Sequence, residues 1–387
     1  MATDLRPIRR VVTTNDERGR SKILFDGPAP SAHQASMGVG RGHTNLWVWN
    51  DALPTISGEV DAGNMPYDFP GPPDGGHLRV VQSIGRPTNY DPANDPDVVP
   101  MHPPKLRPPS RTWDRGGNNA YSSSMHKTET VDYGIQLFGE RVCVLDDAEV
   151  SIRPGDIIVQ VGAYHQWTSP REGGIMLFDM IAARFLDGEQ GLAQGNDRPL
   201  PVSAEMRLPS GVRPARRIVT IDRERNRSSL VSDGRCADVR FDPARPGHMT
   251  SRLWVTDSAP AKIVFETSRL PHSLEPPRPG SVLRVVTLPP DDEWKGAVGS
   301  AQVQAYFRSM GSPGASTYSP AAPHPYMQKL WTLDFCAVLE GEAVLVLDTQ
   351  EVAMQAGEVA ILRGANHAWS NRSTNPAVIA IASHAAA

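Results

Sequence analysis

Cysteine is scarce in this chain of 387 residues. Cys143, Cys236 and Cys336 lie far apart, form no CxxC pair and are odd in number. Small disulfide scaffolds are much denser in cysteine, so a reducing compartment is expected. Long apolar runs are missing too. None approaches the roughly 18 residues of a membrane-spanning helix. The N-terminal stretch "MATDLRPIRRVV" has no apolar signal-peptide core. A soluble, cytoplasmic protein with no membrane partner is the expectation. The formal net charge is −4, with acids and bases interspersed. Nothing there resembles the basic face that nucleic-acid binding needs. The P-loop, the dinucleotide fingerprint, GxSxG and HExxH are absent as well.

Turn formers, by contrast, are plentiful. The 33 glycines and 36 prolines argue against long helices. The length suggests two domains, and the chain repeats itself. "RRVVTTNDERGRS" (Arg9–Ser21) returns as "RRIVTIDRERNRS" (Arg216–Ser228). "LWVWNDALP" (Leu46–Pro54) returns as "LWVTDSAP" (Leu253–Pro260), and "LRVVQSIG" (Leu78–Gly85) as "LRVVTLPP" (Leu283–Pro290). "VDYGIQLFGE" (Val131–Glu140) returns as "LDFCAVLEGE" (Leu333–Glu342), and "VGAYHQW" (Val161–Trp167) as "RGANHAW" (Arg363–Trp369). The first match is separated by 207 residues and the last by 202. That period is too long for a solenoid, so each copy is expected to be a domain. The expected domains are 1–200 and 201–387, joined near the polar, Pro-rich stretch Gly195–Ala215.

Within a copy the pattern is that of strands. "IQLFGERVCVLDDAEVSIRPGDIIVQVG" alternates apolar and polar residues and is broken at turn signals. Pro154-Gly155 suits a type II turn, with proline setting φ and glycine accepting positive φ. Short strands and tight turns predict an all-β sandwich or barrel. The Pro-rich stretches Asp68–Pro73, Tyr90–Ser110 and Pro271–Pro279 read as long loops or arms. Trp47 and Trp254 read as matched core anchors. His43 and His248, near corresponding places, read as surface or turn residues, and His324 as a loop histidine. Arg9, Arg10, Arg216 and Arg217 read as exposed basic pairs. Cys143 and Cys336 read as small core residues.

"MHKTETVDYG" (Met125–Gly134) places His126, Thr128, Thr130 and Asp132 at alternate positions, on one face of a strand. His165 and Trp167 share a face in the same way. The second copy reads "MQKLWTLDFC", with Gln328 where His126 stands.

These residues resemble the cupin superfamily, whose motifs are G(X)5HXH(X)3,4E(X)6G and G(X)5PXG(X)2H(X)3N. His126 falls on the first histidine, Thr128 on the second, Asp132 on the glutamate and Gly139 on the closing glycine. Gly155, Gly162 and His165 fall on the second motif, with one residue fewer after Gly155, Gln160 at the proline and Ser169 at the asparagine. In the second copy Gln328, Leu330, Asp334 and Gly341 occupy the first motif, and Gly357, Gly364, His367 and Asn371 the second. The most similar subgroup carries "HxTxTVDY" followed by "RGxxHxW". The resemblance implies two tandem jelly-roll (double-stranded β-helix) barrels.

For function the resemblance implies several outcomes. His126, Asp132 and His165 would hold a divalent metal, most readily Fe(II), with Mn, Ni or Zn as alternatives, in the N-terminal barrel only. The protein would then be a dioxygenase acting on a small enolic, phenolic or dicarbonyl substrate, with Thr128, Thr130 and Trp167 in the pocket. In the alternative, an isomerase, cyclase, decarboxylase or lyase, Asp132 and His165 would be catalytic and transfer protons. A third outcome is a non-catalytic bicupin that binds a small ligand. Gln328, Asp334, His367 and Trp369 are the second-barrel counterparts, expected to hold no metal. A buried Asp–His hydrogen bond common to both copies would explain Asp132/His165 and Asp334/His367 without metal. The two barrels are expected to pack as an intrachain pseudo-dimer, with a homodimer left open.

Overall fold

The computed structural model describes residues 5–34, 41–65, 69–170, 172–185, 208 and 212–387. Most of the expected linker Gly195–Ala215 lies outside the described residues, as does Asp68 of the first arm. The chain folds into two β-barrels, each a large sheet facing a three-stranded one. In the first barrel the large sheet runs, in spatial order, through Arg227–Arg235, Arg216–Glu224, Ile157–Val161, Thr130–Gly139, Gly174–Arg184, Gly76–Ser83, Gly42–Trp49 and Ser31–His33. Its small sheet is Glu149–Ile152, Arg141–Val144 and Gln166–Thr168. The second barrel repeats this plan, with Thr332–Glu340 at the centre of its large sheet and Glu342–Leu347 at the centre of its small one.

The order of strands shows something that the linear repeat conceals. The first hairpin of each copy belongs to the other barrel. Arg216–Glu224 pairs in parallel with Ile157–Val161 of the first barrel. Arg9–Asn15 pairs in parallel with Val359–Arg363 of the second. The repeat boundary near residue 200 is therefore not the boundary between folded units. Ile218 is built into the core of barrel one, and Val11 into that of barrel two.

The four arginines read as exposed basic pairs hold this exchange. Arg9 reaches Asp26 of its own hairpin and Glu358 of the other copy, at 2.7 and 2.8 Å. Arg216 does the same with Asp233 and Asp156, both at 2.7 Å. Arg10 is buried, pairs with Asp61 and donates to the Leu46 carbonyl. Arg217 mirrors it with Glu266 and the Leu253 carbonyl.

The central strands are apolar on both faces because both faces are covered. Along Thr130–Gly139, Val131, Tyr133, Ile135 and Leu137 join a core shared with the second barrel. The alternate positions, which include Asp132, face the barrel interior. Tyr133 and Phe335 lie at this junction: the Tyr133 hydroxyl lies 2.8 Å from Ser281 Oγ, and Phe335 packs on Trp49. Trp47 and Trp254 are buried. The Pro154-Gly155 turn forms as read, with Gly155 at φ 88° and Asp156 N donating to the Arg153 carbonyl. One α-helix, Ser300–Ser309, occurs among the described residues. No helix there is long and apolar enough to cross a membrane.

Candidate functional site

Strand alternation delivers His126, Thr128 and Asp132 to one cavity inside barrel one, as the spacing predicts. The strand breaks at Glu129 without losing that face. His165 and Trp167 arrive from the opposite sheet. A cavity of about 110 Å³ is lined by these five side chains with His43, Phe69, Arg79, Arg141, Gln160 and Phe178 among others. His43, Phe69, Ser123 and His126 also line an outer cavity of about 860 Å³. The arm Tyr90–Ser110 contributes Pro96, Asp97, Val99 and Arg107 to that outer wall.

Two backbone hydrogen bonds fasten His126 to His165, at 3.0 and 2.9 Å. Their rings lie 4.6 Å apart, centroid to centroid. His126 Nδ1 donates to the Ser124 carbonyl at 2.7 Å and His165 Nδ1 to the Ala163 carbonyl at 2.9 Å. A carbonyl only accepts, so each Nδ1 carries the proton and each Nε2 keeps its lone pair. Burial holds both rings below the usual histidine range, and each is neutral at pH 7.

Asp132 is 4% exposed. Burial pushes its carboxyl up to about 7, against a hydrogen bond from Thr130 that favours the charged form. Oδ1 has no hydrogen-bond partner. Thr130 itself does not reach the cavity, contrary to expectation. Its Oγ1 lies 2.6 Å from that of Thr128.

The Asp–His hydrogen bond expected of both copies is not made in either. The Nδ1 of His165 and that of His367 donate to backbone carbonyls instead. In the second copy Asp334 Oδ2 accepts from Thr332, and Gln328 Nε2 lies 3.3 Å from His367 Nε2. The second barrel keeps a cavity of only about 40 Å³, lined by Gln328 and Trp369 but not by Asp334 or His367. Tyr306 and Phe307, on the helix Ser300–Ser309, are part of its lining. In the first copy the arm Tyr90–Ser110 occupies this stretch and lines the outer cavity.

The iron expectation needs three donors around one point. Among the described residues, no group of three His, Cys, Asp or Glu side chains is arranged to hold a metal ion. His126, Asp132 and His165 share the cavity without forming a three-ligand face. Two imidazoles are close together; the carboxylate does not complete the set.

Other expectations are corrected here. His43 and His248 are not surface residues: each lines the cavity of its barrel. His324 is buried, its Nε2 3.5 Å from Asp291. Cys143 and Cys336, by contrast, are buried as small core residues, as their sequence setting implies, and burial raises both thiols. The residue that sequence reasoning missed is Arg141, 5% exposed and facing the same cavity as Asp132. The signal was present: in "RVCV" it takes an inward position of an alternating strand, where an apolar residue is expected.

No family model matches the chain. Phomopsin biosynthesis cluster protein C' of Diaporthe leptostromiformis is 38% identical over 87 residues, which is 20% of this chain and 46% of that protein. Protein D of the same cluster gives the same figures. Oryzines biosynthesis cluster protein J of Aspergillus oryzae (strain ATCC 42149 / RIB 40) is 38% identical over 66 residues, 16% of this chain and 37% of that protein. The chain spans less than half the length of each of these curated relatives. Among solved structures, protein YlbA from E. coli aligns with a TM-score of 0.39 at 9% identity, covering 92% of this chain and 87% of that one. A cupin 2 conserved barrel domain protein from Leptotrichia buccalis aligns at 0.31 and 9%, covering 76% and 98%. Oxalate decarboxylase of Bacillus subtilis aligns at 0.32 and 11%, covering 80% and 68%. The chain is thus an all-β protein of two jelly-roll barrels in tandem, with the candidate site residues set on the inner strands of the first.

Proposed function

We propose that barrel one is a small-molecule enzyme that transfers protons with its own side chains, an isomerase, cyclase or lyase. The observation that carries this reading is Asp132, a buried carboxyl with an unpartnered oxygen in the cavity that holds two neutral imidazoles. A carboxyl pushed up to about 7 is present in both protonation states at neutral pH. It is suited to give a proton to one atom of a substrate and take it back from another. The Nε2 lone pair of His165 or His126 is the complementary base. Phe69, Trp167 and Phe178 make the wall apolar, which excludes water and keeps the carboxyl's affinity for its proton high. The outer cavity gives room for the part of a substrate that does not react. The relatives named for phomopsin and oryzines biosynthesis support a role in making a small organic product.

The iron-dependent dioxygenase is the second reading. The paired Nε2 atoms of His126 and His165 favour it, and the missing third ligand weighs against it.

The test is deuterium exchange. Purified, metal-stripped full-length protein is incubated in D2O with small carbonyl compounds, and loss of the acidic C–H is followed by NMR. The expected result is exchange catalysed by wild type and abolished in Asp132→Asn. Exchange that requires added iron and survives Asp132→Asn overturns the proposal. About one metal per chain, lost in His126→Ala and kept in His367→Ala, supports a metal site in barrel one, and oxygen consumption with a small enolic or phenolic substrate would then establish the second reading.

A further inference from the structure

In the cavity of barrel one, Arg141 has no counter-ion among the described residues. Arg141 lies on the strand Arg141–Val144 with its Nε and Nη1 buried and lacking any hydrogen-bond partner. Among the described residues no carboxylate pairs with it. Its guanidinium carbon sits 4.7 Å from the ring centroid of Trp167 and 5.9 Å from that of Phe178. Arg79 lines the same space, held by a 2.7 Å hydrogen bond from its Nε to Asn45 Oδ1. Among the described residues Asp132 is the sole acid in that wall. Two guanidiniums thus line a wall that holds one carboxyl.

A charge buried without a partner is strongly disfavoured, and proteins retain one where a ligand supplies the partner. Burial pushes Arg141 down to about 9, so it is still charged at pH 7. Its counterpart after Gly341 is Ala343, so the feature belongs to the barrel that also keeps His126 and the outer cavity.

We propose that Arg141 is an anion anchor and that the ligand of barrel one is a small carboxylic acid bound as its carboxylate. The proposal deepens the proton-transfer reading and rests on it for the chemical step after binding. The carboxylate docks on the Arg141 guanidinium, and its planar carbon skeleton lies along Trp167. The remainder of the molecule faces Asp132 and the imidazole pair. A carboxylate next to the reacting carbon also makes that carbon's proton more acidic once the charge is neutralised by arginine.

The test is calorimetric titration of the full chain with pyruvate, acrylate and propionate, with propionamide as the uncharged counterpart of propionate. The expected result is carboxylate binding at least tenfold tighter than that of propionamide. Arg141→Met should lose that preference and melt no lower than wild type, since it removes an unpaired buried charge. Arg141→Lys should keep part of it. Should Arg141→Met fail to fold, the acid-against-amide comparison on wild type and Arg141→Lys still decides. Equal binding of acid and amide, or full carboxylate affinity in Arg141→Met, overturns the anchor. Carboxylate binding together with proton exchange that is unchanged in Asp132→Asn overturns the acid–base reading and leaves the anchor standing.

Discussion

Lys127 Nζ lies 3.1 Å from Asp222 Oδ2, and neither side chain is exposed at all. Lys127 adjoins His126. Asp222 comes from the exchanged hairpin of the other copy, and its second oxygen accepts the Tyr164 N–H at 2.9 Å, next to His165. Both imidazoles of the candidate site are thus braced by a strand from beyond the repeat boundary. Burial pushes Asp222 up to about 6 even with Lys127 beside it. Removing one partner leaves a bare buried charge. Lys127→Ala is expected to destabilise by about 3–5 kcal/mol, and the double variant Lys127→Met/Asp222→Leu by much less. Urea denaturation of the three proteins checks this; equal losses in single and double variants would refute it.

Asp132 makes stability depend on pH in a defined direction. Its folded-state value of about 7 lies above the ordinary 3.8. The folded chain therefore holds a proton that the unfolded chain has released. The associated stability is full below about pH 4 and is lost as pH rises through 7. Asp132→Asn cannot ionise, so it should melt higher than wild type at pH 8.5 and lose that advantage towards pH 4. The full difference is on the order of 3–4 kcal/mol by linkage. Melting temperatures across that range measure it, and a gap that widens on acidification would contradict it.

The imidazole pair and its second-copy counterpart should behave differently. His126→Ala and His165→Ala are each expected to lower proton exchange by about 100-fold or more. His367→Ala, in a barrel whose Asp334 and His367 do not line its cavity, should leave the rate within about twofold, since side chains outside the site contribute little beyond stability. Rates normalised to folded protein, read by circular dichroism, separate chemistry from unfolding. A large loss in His367→Ala would place activity in the wrong barrel.

Phe307 is 1% exposed and lines the cavity of the second barrel. Phe307→Ala should cost about 3–5 kcal/mol, the range of a buried phenylalanine truncated to a cavity. It should create no new exchange activity. Acquired activity would show that the helix masks a working site.

Much of this was legible in the chain. Parity along "MHKTETVD" placed His126, Thr128 and Asp132 on one face, because side chains alternate strictly on a strand. "RPGD" specified its own turn. The hairpin exchange was not legible for a physical reason. "RRVVTTNDERGRS" and "RRIVTIDRERNRS" are nearly the same strand, so either fits either sheet, and pattern alone does not say which barrel each joins. Thr130 shares the parity of Asp132 but not the cavity wall; its hydroxyl bonds to Thr128 and Asp132, which side-chain parity does not reveal. The Asp–His hydrogen bond was inferred from two residues persisting together. Backbone carbonyls at Ala163 and Ala365 took the ring protons instead, and carbonyl positions are invisible to side-chain patterns.

The exchanged hairpins decide how this molecule would come apart. A cut at the repeat boundary would leave each fragment without two strands of its own large sheet, its parallel edge open, and two strands that fit only the other fragment. Separately expressed halves should therefore be poorly soluble alone and assemble when mixed, with a stability that rises with their concentration. In the continuous chain the same assembly is intramolecular and independent of dilution. Covalent joining turns a binding equilibrium into a folding one, and the site at His126, braced by Asp222, forms in every folded molecule.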